Sequence, residues 1–530
     1  MLIKIILLVL FFGVMIFIGF WSRKHATNVN DYVLGGRAVG PWLTAFAFGT
    51  SYFSSVVFVG YAGQFGWKFG LASTWIGLGN ALIGSLLAWI ILGRRTRVMT
   101  QKLDARTMPE YFGKRYGSES LQVVGSAIAF IFLVPYTAGV YNGLSRLFGM
   151  AFSIDYHICV IAMAVLTAVY VIAGGYMATA LNDFIQGIIM LIGICAVIGA
   201  VLYGQGGFLN AMKEMSIIDG SDFAVPALQG ANGLLTSFFG PDPLALLGVI
   251  ILTSLGTWGL PQMVQKFYAI KDEKSIQTGT VISTFFAFVI AGGCYFLGGF
   301  GRLFGDVPGV HNPDGTIAFD AIVPSMLSTL PDLLIGIVIV LVFSASMSTL
   351  SSLVLTSSST MTLDFLKKTV WKEMDDKRQL LVMRVLIAVF ILISVALAFN
   401  PPAFIAQMMG VSWGGLAGAF LAPFMYGLYS KNVTKAAVWV AFAWGVVFTV
   451  LNMFFHFIAS PINAGAATMI IGLILVPIVS ALTPKMDQTE MDELFSCYDE
   501  EVVVHKSHSL SEGRVVRSVK AVAADPKEAE

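Results

Sequence analysis

Charge is what this sequence has least of. Only 12% of its 530 residues are charged while 57% are apolar, and the mean hydropathy is +0.80. Soluble domains carry about 25% charged and roughly 45–50% apolar residues, so a soluble multidomain enzyme is excluded and most of the chain must dissolve in lipid. Lysine plus arginine number 32 against 31 for aspartate plus glutamate, and no concentrated basic patch offers a nucleic acid a phosphate-binding surface. Cysteine is scarce too: Cys159, Cys195, Cys294 and Cys497 lie far apart, three of them in apolar stretches. They form no disulfide framework, and with six scattered histidines they form no metal cluster. A GxxxxGK[ST] phosphate loop is missing, so ATP drive would need a separate subunit.

What is present is long apolar runs. Residues 71–92, 184–212 and 333–363 are free of charge over 22, 29 and 31 residues, and about 20 suffice to cross hydrocarbon as a helix. Continuing along the chain predicts an all-α polytopic membrane protein of about 13 spans. Helices are required because lipid offers free backbone groups no partner, and the alternation of a barrel is absent. With the N-terminus outside, 20 cations fall in inner loops and 5 on the outer side, which predicts a C-terminus in the cytoplasm of a cell whose plasma membrane holds the protein. Lys266 is among those counted as inner. The first apolar stretch is followed, not preceded, by its positive cluster and has no small-residue cleavage site, so it reads as a helix rather than a signal peptide. The polar, aromatic-poor stretch 485–530 reads as a cytoplasmic tail, partly or wholly disordered.

Polar residues enter the lipid zone at four places. The second span contains Gly49-Thr50-Ser51-Tyr52-Phe53-Ser54-Ser55 and the seventh contains Thr253-Ser254-Leu255-Gly256-Thr257-Trp258-Gly259-Leu260-Pro261. Glycines and proline in mid-membrane free carbonyls from the helical ladder, which is tolerated only beside protein or a water cavity. The alternative is that these small residues let helices pack closely. The two stand five positions apart in the order of spans, as expected for a ten-helix core of two inverted five-helix repeats with binding between them. In the ninth span, positions 345, 348, 349 and 352 share one helical face, and Ser348, Ser351 and Ser352 form a triangle. Hydroxyl and carbonyl oxygens suit a hard monovalent cation such as sodium; the bland alternative is hydroxyls bonding back to the preceding turn. Asp183 lies near the inner end of the sixth span, where an unpartnered acid costs on the order of 3 kcal/mol. It either faces a cation or meets cytoplasmic water. Among aromatics, Tyr136 and Trp258 lie where a central cavity needs them, and Trp413 is a further candidate.

These motifs resemble the sodium/solute symporter family, carriers of proline, pantothenate, monocarboxylates, sialic acids and sugars. The likeness runs through Asp31-Tyr32-Val33-Leu34-Gly35-Gly36-Arg37, Gly174-Gly175-Tyr176 with Asn182-Asp183, Trp258-Gly259-Leu260-Pro261-Gln262 and Ser346-Met347-Ser348-Thr349-Leu350-Ser351. It implies the leucine-transporter architecture, divided as 1–40 (extra helix and cytoplasmic loop), 41–204 (first repeat), 205–242 (external loop), 243–429 (second repeat), 430–484 (two added helices) and 485–530 (tail). It also implies a first sodium site from Thr50, Phe53 and Ala345 carbonyls with Ser348 and Thr349 hydroxyls. A second site found in some members corresponds to Asp183, Ser348, Ser351 and Ser352, so one or two sodium ions are coupled. Tyr136 resembles a solute-site tyrosine of the proline carriers, pointing to an amino acid or small carboxylate. Two departures argue against proline itself: Tyr52 stands where those carriers have aspartate, and Thr253 where they have tryptophan. Ser51, Ser54, Ser254, Thr257 and Trp258 complete the candidate solute residues.

The expectation is a sodium-coupled symporter importing a small polar solute by alternating access, with lipid, solute and sodium as its partners and no obligatory protein partner evident. A proton-coupled carrier of the same fold and a non-transporting membrane sensor stay open. A membrane enzyme would need a nucleophile with its base or a metal triad, and no such grouping emerges.

Overall fold

The computed structural model describes residues 2–22, 28–220, 223, 225–504 and 514–518. Ten helices in it are long and apolar enough to cross a membrane, eleven when Pro243–Gly259 and Pro261–Ala269 are taken as one bent span. Two of the helical stretches contain more than one pass. Gly49 lies against Phe286 and Gly66 against the Gly298 carbonyl, after which Gly77 meets Ala291 and Gly93 meets Ile276. The chain thus runs along one side of the helix Glu273–Gly298 and returns along it, and the reversal falls at Gly70, whose φ of +61° and ψ of −139° only glycine adopts readily. The 49-residue stretch Tyr156–Gly204 is likewise broken at Gly175 (φ +57°, ψ −153°). Thr167 before the break and Asp183 after it both approach the Met347–Ser348 level of the ninth span, so here too the chain doubles back. Together with the first helix, Leu2–Ser22, and the last, Pro461–Leu482, this yields the thirteen expected passes among the described residues.

The motifs of the likeness pack on one another. A side chain at Gly175 would strike Tyr32, one at Gly35 would press on Tyr176, and the Tyr32 hydroxyl donates to the Val171 carbonyl at 3.1 Å. Arg37, buried, donates to the carbonyls of Ala105 and Tyr268 at 2.5 and 3.4 Å, tying this corner to the loop after the third span and to the end of the seventh.

One expectation is narrowed. The tail is ordered in its first part: Gln488–Phe495 is helical and buries Met491 and Phe495, four residues apart on one face. Lys431 pairs with Asp492 at 2.5 Å, and the Arg95 guanidinium lies 4.0 Å and 4.5 Å from the Tyr429 and Tyr498 ring centres. A polar average conceals so short an apolar pair. Beyond it, Glu500–Val504 and Arg514–Ser518 pair as antiparallel strands, a small addition to an otherwise helical protein. The rest of the tail, and the loop cations Arg23 and Lys24, lie outside the described residues.

Candidate functional site

The second span breaks where its glycine and serines are. Its first half, Pro41–Tyr52, ends at Phe53, whose backbone is extended (φ −108°, ψ 102°), and the Phe53 N–H makes the last helical bond, to Gly49. The next helix starts after Ser54, whose hydroxyl accepts the Val56 N–H at 3.1 Å. The carbonyls that follow Gly49 turn to the ninth span instead. Thr349 Oγ1 lies 3.3 Å from the Thr50 carbonyl, 3.3 Å from the Ser51 carbonyl and 3.2 Å from that of Ala345. Ser348 Oγ donates to Thr50 Oγ1 at 2.7 Å, and Ser51 Oγ meets Ser352 Oγ at 2.8 Å. The helical face 345, 348, 349, 352 is therefore the surface that meets the break.

The count of protons decides what this cluster can do. A threonine hydroxyl donates one hydrogen, yet three carbonyls surround Thr349, all buried. Buried oxygens in excess of donors favour a cation, which several lone pairs can share. The seventh span supplies the symmetrical interruption: it bends by 48° at Leu260, between Gly259, packed on Ala417, and Pro261.

Other expected residues are placed differently. Ser351 bonds back to the Ser348 carbonyl at 2.8 Å within its own helix. Thr253 and Ser254 both donate to Asn80 Oδ1, at 2.8 and 3.1 Å; Thr257 donates to the Gly84 carbonyl at 3.1 Å and the Trp258 indole to that of Ile83 at 3.0 Å. These four knit the seventh span to the third, a role that their hydroxyls alone did not announce. Tyr52 donates to the Thr253 carbonyl, stacks on Phe53 at 4.2 Å and faces Trp413 at 6.3 Å, while Tyr136 meets Trp413 edge-on at 5.7 Å. Beside the break is a small void of about 10 Å³, room for about one water, lined in part by Phe53, Ser54, Phe58, Ile290, Cys294 and Ala345.

Asp183 is fully buried, and neither of its carboxylate oxygens has a hydrogen-bond partner among the described residues. The sequence reading missed its basic partner. Lys266, counted there as a loop cation, is 3% exposed; its Nζ lies 4.0 Å from Asp183 Oδ2 and donates to Ser352 Oγ at 3.0 Å. The signal was the apolar company of Met263, Val264, Phe267 and Tyr268, which continues the seventh span past its bend.

The model of the sodium:solute symporter family matches residues 32–445. The chain belongs to that family. Sodium/proline symporters of Staphylococcus aureus strains JH9 and COL are each 31% identical to it over 442 residues, covering 81% of this chain and 82% of theirs. A solved structure described as the substrate-bound outward-open state of a Na+-coupled sialic acid symporter superposes with a TM-score of 0.71 at 17% identity, covering 92% of this chain and 99% of that one. The fold is thus the inverted-repeat transporter architecture anticipated from the two interrupted spans. This sodium:solute symporter is a multi-pass membrane transporter that uses sodium to move a small solute, and not an enzyme.

Proposed function

We propose that this symporter imports an amino acid or small carboxylate, and that its coupling sodium is held by the carbonyls of Thr50, Phe53 and Ala345 with the hydroxyls of Ser348 and Thr349. The observation that carries the reading is the convergence of buried carbonyls on Thr349 at the break of the second span. The Ser51 carbonyl joins that set. Asp183 with Ser348, Ser351 and Ser352 marks a second cation position.

Sodium filling the first position bridges the two repeats, since Thr50 belongs to one and Thr349 to the other. Bound ion and solute together permit the rocking that exposes the site to the other side. The membrane potential adds about 2.3 kcal/mol per charge per 100 mV to the chemical gradient. The distribution of loop cations favours an outside N-terminus and import across the plasma membrane. The solute class is supported by the amino-acid carriers among the relatives and by the aromatic group Tyr52, Tyr136 and Trp413 beside the break.

The test has two steps. A thermal-shift screen of purified protein against amino acids, carboxylates and sugars, with and without sodium, identifies ligands whose stabilisation depends on the ion. Uptake of the best ligand into vesicles then requires an inward sodium gradient. Uptake that ignores sodium but follows an imposed pH gradient would replace sodium with protons in this account.

A further inference from the structure

Four spans meet at the second cation position, and one of them brings its own charge. Lys266 follows the bend of the seventh span, so its ammonium enters from the second repeat and reaches Ser352, while Asp183 enters from the first repeat. Ser352 in turn touches Ser51 on the broken second span at 2.8 Å. The ammonium also lies 5.2 Å from the Tyr176 ring centre, and lysine and aspartate are both essentially inaccessible to water. A carboxylate buried in hydrocarbon demands one compensating positive charge. Here a covalently attached one stands where a free ion would have to sit. A sodium ion placed between Asp183 and Ser352 would compete for the same oxygens and meet a like charge at contact distance.

We infer that the Lys266 ammonium is a tethered cation filling the second ion position, so that this symporter binds one sodium ion, at the Thr50–Thr349 cluster, and not two. The inference rests on the sodium-coupled reading of the first position. It also gives the lysine a part in the cycle: because it rides on the half-helix beyond Leu260, any swing of that segment carries the charge away from Asp183, and no second ion is released to either side. Such a device couples the movement of the two repeats without adding to the sodium stoichiometry.

The test counts ions by equilibrium binding of 22Na+ to the purified, detergent-solubilised protein, with no solute needed. The expected result is one saturable site in the wild type and a Hill coefficient of 1. In Lys266→Ala the vacated position admits sodium, and the count rises to two with a Hill coefficient approaching 2. Asp183→Asn is the second variant, needed because a buried aspartate without its lysine strains folding. It leaves the count at one, since the carboxylate does not hold sodium in the native protein. Two sites in the wild type, an unchanged count in Lys266→Ala, or the loss of a site in Asp183→Asn would each overturn the inference. Failure of the underlying sodium reading looks different: no site in the wild type, with one still gained in Lys266→Ala.

Discussion

Replacing Thr349 by valine removes one hydroxyl from the oxygen cluster and keeps the side chain's shape. In the native protein that hydroxyl lies 3.2–3.3 Å from three carbonyls, so it is placed to be a neutral ligand of any cation they hold. A polar contact to a charged partner contributes about 1.5–3 kcal/mol, and each 1.4 kcal/mol is tenfold in affinity. Half-maximal sodium should therefore rise roughly 10- to 150-fold, with the maximal uptake rate recovered when sodium is raised far enough. The assay is the initial rate of solute uptake into proteoliposomes across a sodium series at fixed ionic strength. Ser73→Ala is the control, because that hydroxyl bonds the Gly70 and Tyr295 carbonyls away from the break, and its sodium curve should match the wild type. An unshifted curve in Thr349→Val would refute the reasoning and reassign the cluster to helix packing.

Further outcomes are expected. Gly66→Ala drives a methyl into the Gly298 backbone carbonyl, where no side chain can move aside; about 3 kcal/mol of overpacking should show as a sharp loss of melting temperature in detergent. Burial pushes the Asp320 carboxyl up to about 6 against the opposing Arg146 guanidinium and the Ile405 N–H. A folded-state pKa above the ordinary value means that the folded protein holds the proton more tightly, so stability declines as pH rises from about 4 through 6. Asp320→Asn should remove about 3 kcal/mol of that decline, seen as a flatter melting temperature against pH; identical profiles would count against it. Truncation after Met486 removes Met491, Phe495 and the Lys431–Asp492 pair, and should lower the melting temperature by several degrees, measured by the same method. No change would mean that the tail helix does not hold the bundle.

Much of this architecture could be read from periodicity and composition. Lipid permits little besides helices, so length and apolarity located the passes, while the turning points at Gly70 and Gly175 are given by the backbone of the fold. The face 345, 348, 349, 352 was legible because helical spacing is rigid: once Ala345 is placed, Thr349 and Ser352 must stack with it. The roles of Thr253, Ser254, Thr257 and Trp258 were not legible, because a hydroxyl facing Asn80 and one facing a solute look the same in one dimension. Lys266 was misplaced for a related reason. Counting charge by loop treats every lysine near a span end as solvated, whereas the bend at Leu260 carries this one inward to a carboxylate 83 positions away. Long-range charge pairs of this kind are written in no local pattern.

Sodium coupling in this protein requires that the oxygens at the helix break hold the ion. Equilibrium binding of 22Na+ to purified wild type and to Ser348→Ala, whose hydroxyl lies 2.7 Å from Thr50 Oγ1, tests that most directly. A saturable site in the wild type that weakens at least tenfold in the variant is the predicted result. Equal sodium affinity in both proteins would contradict it.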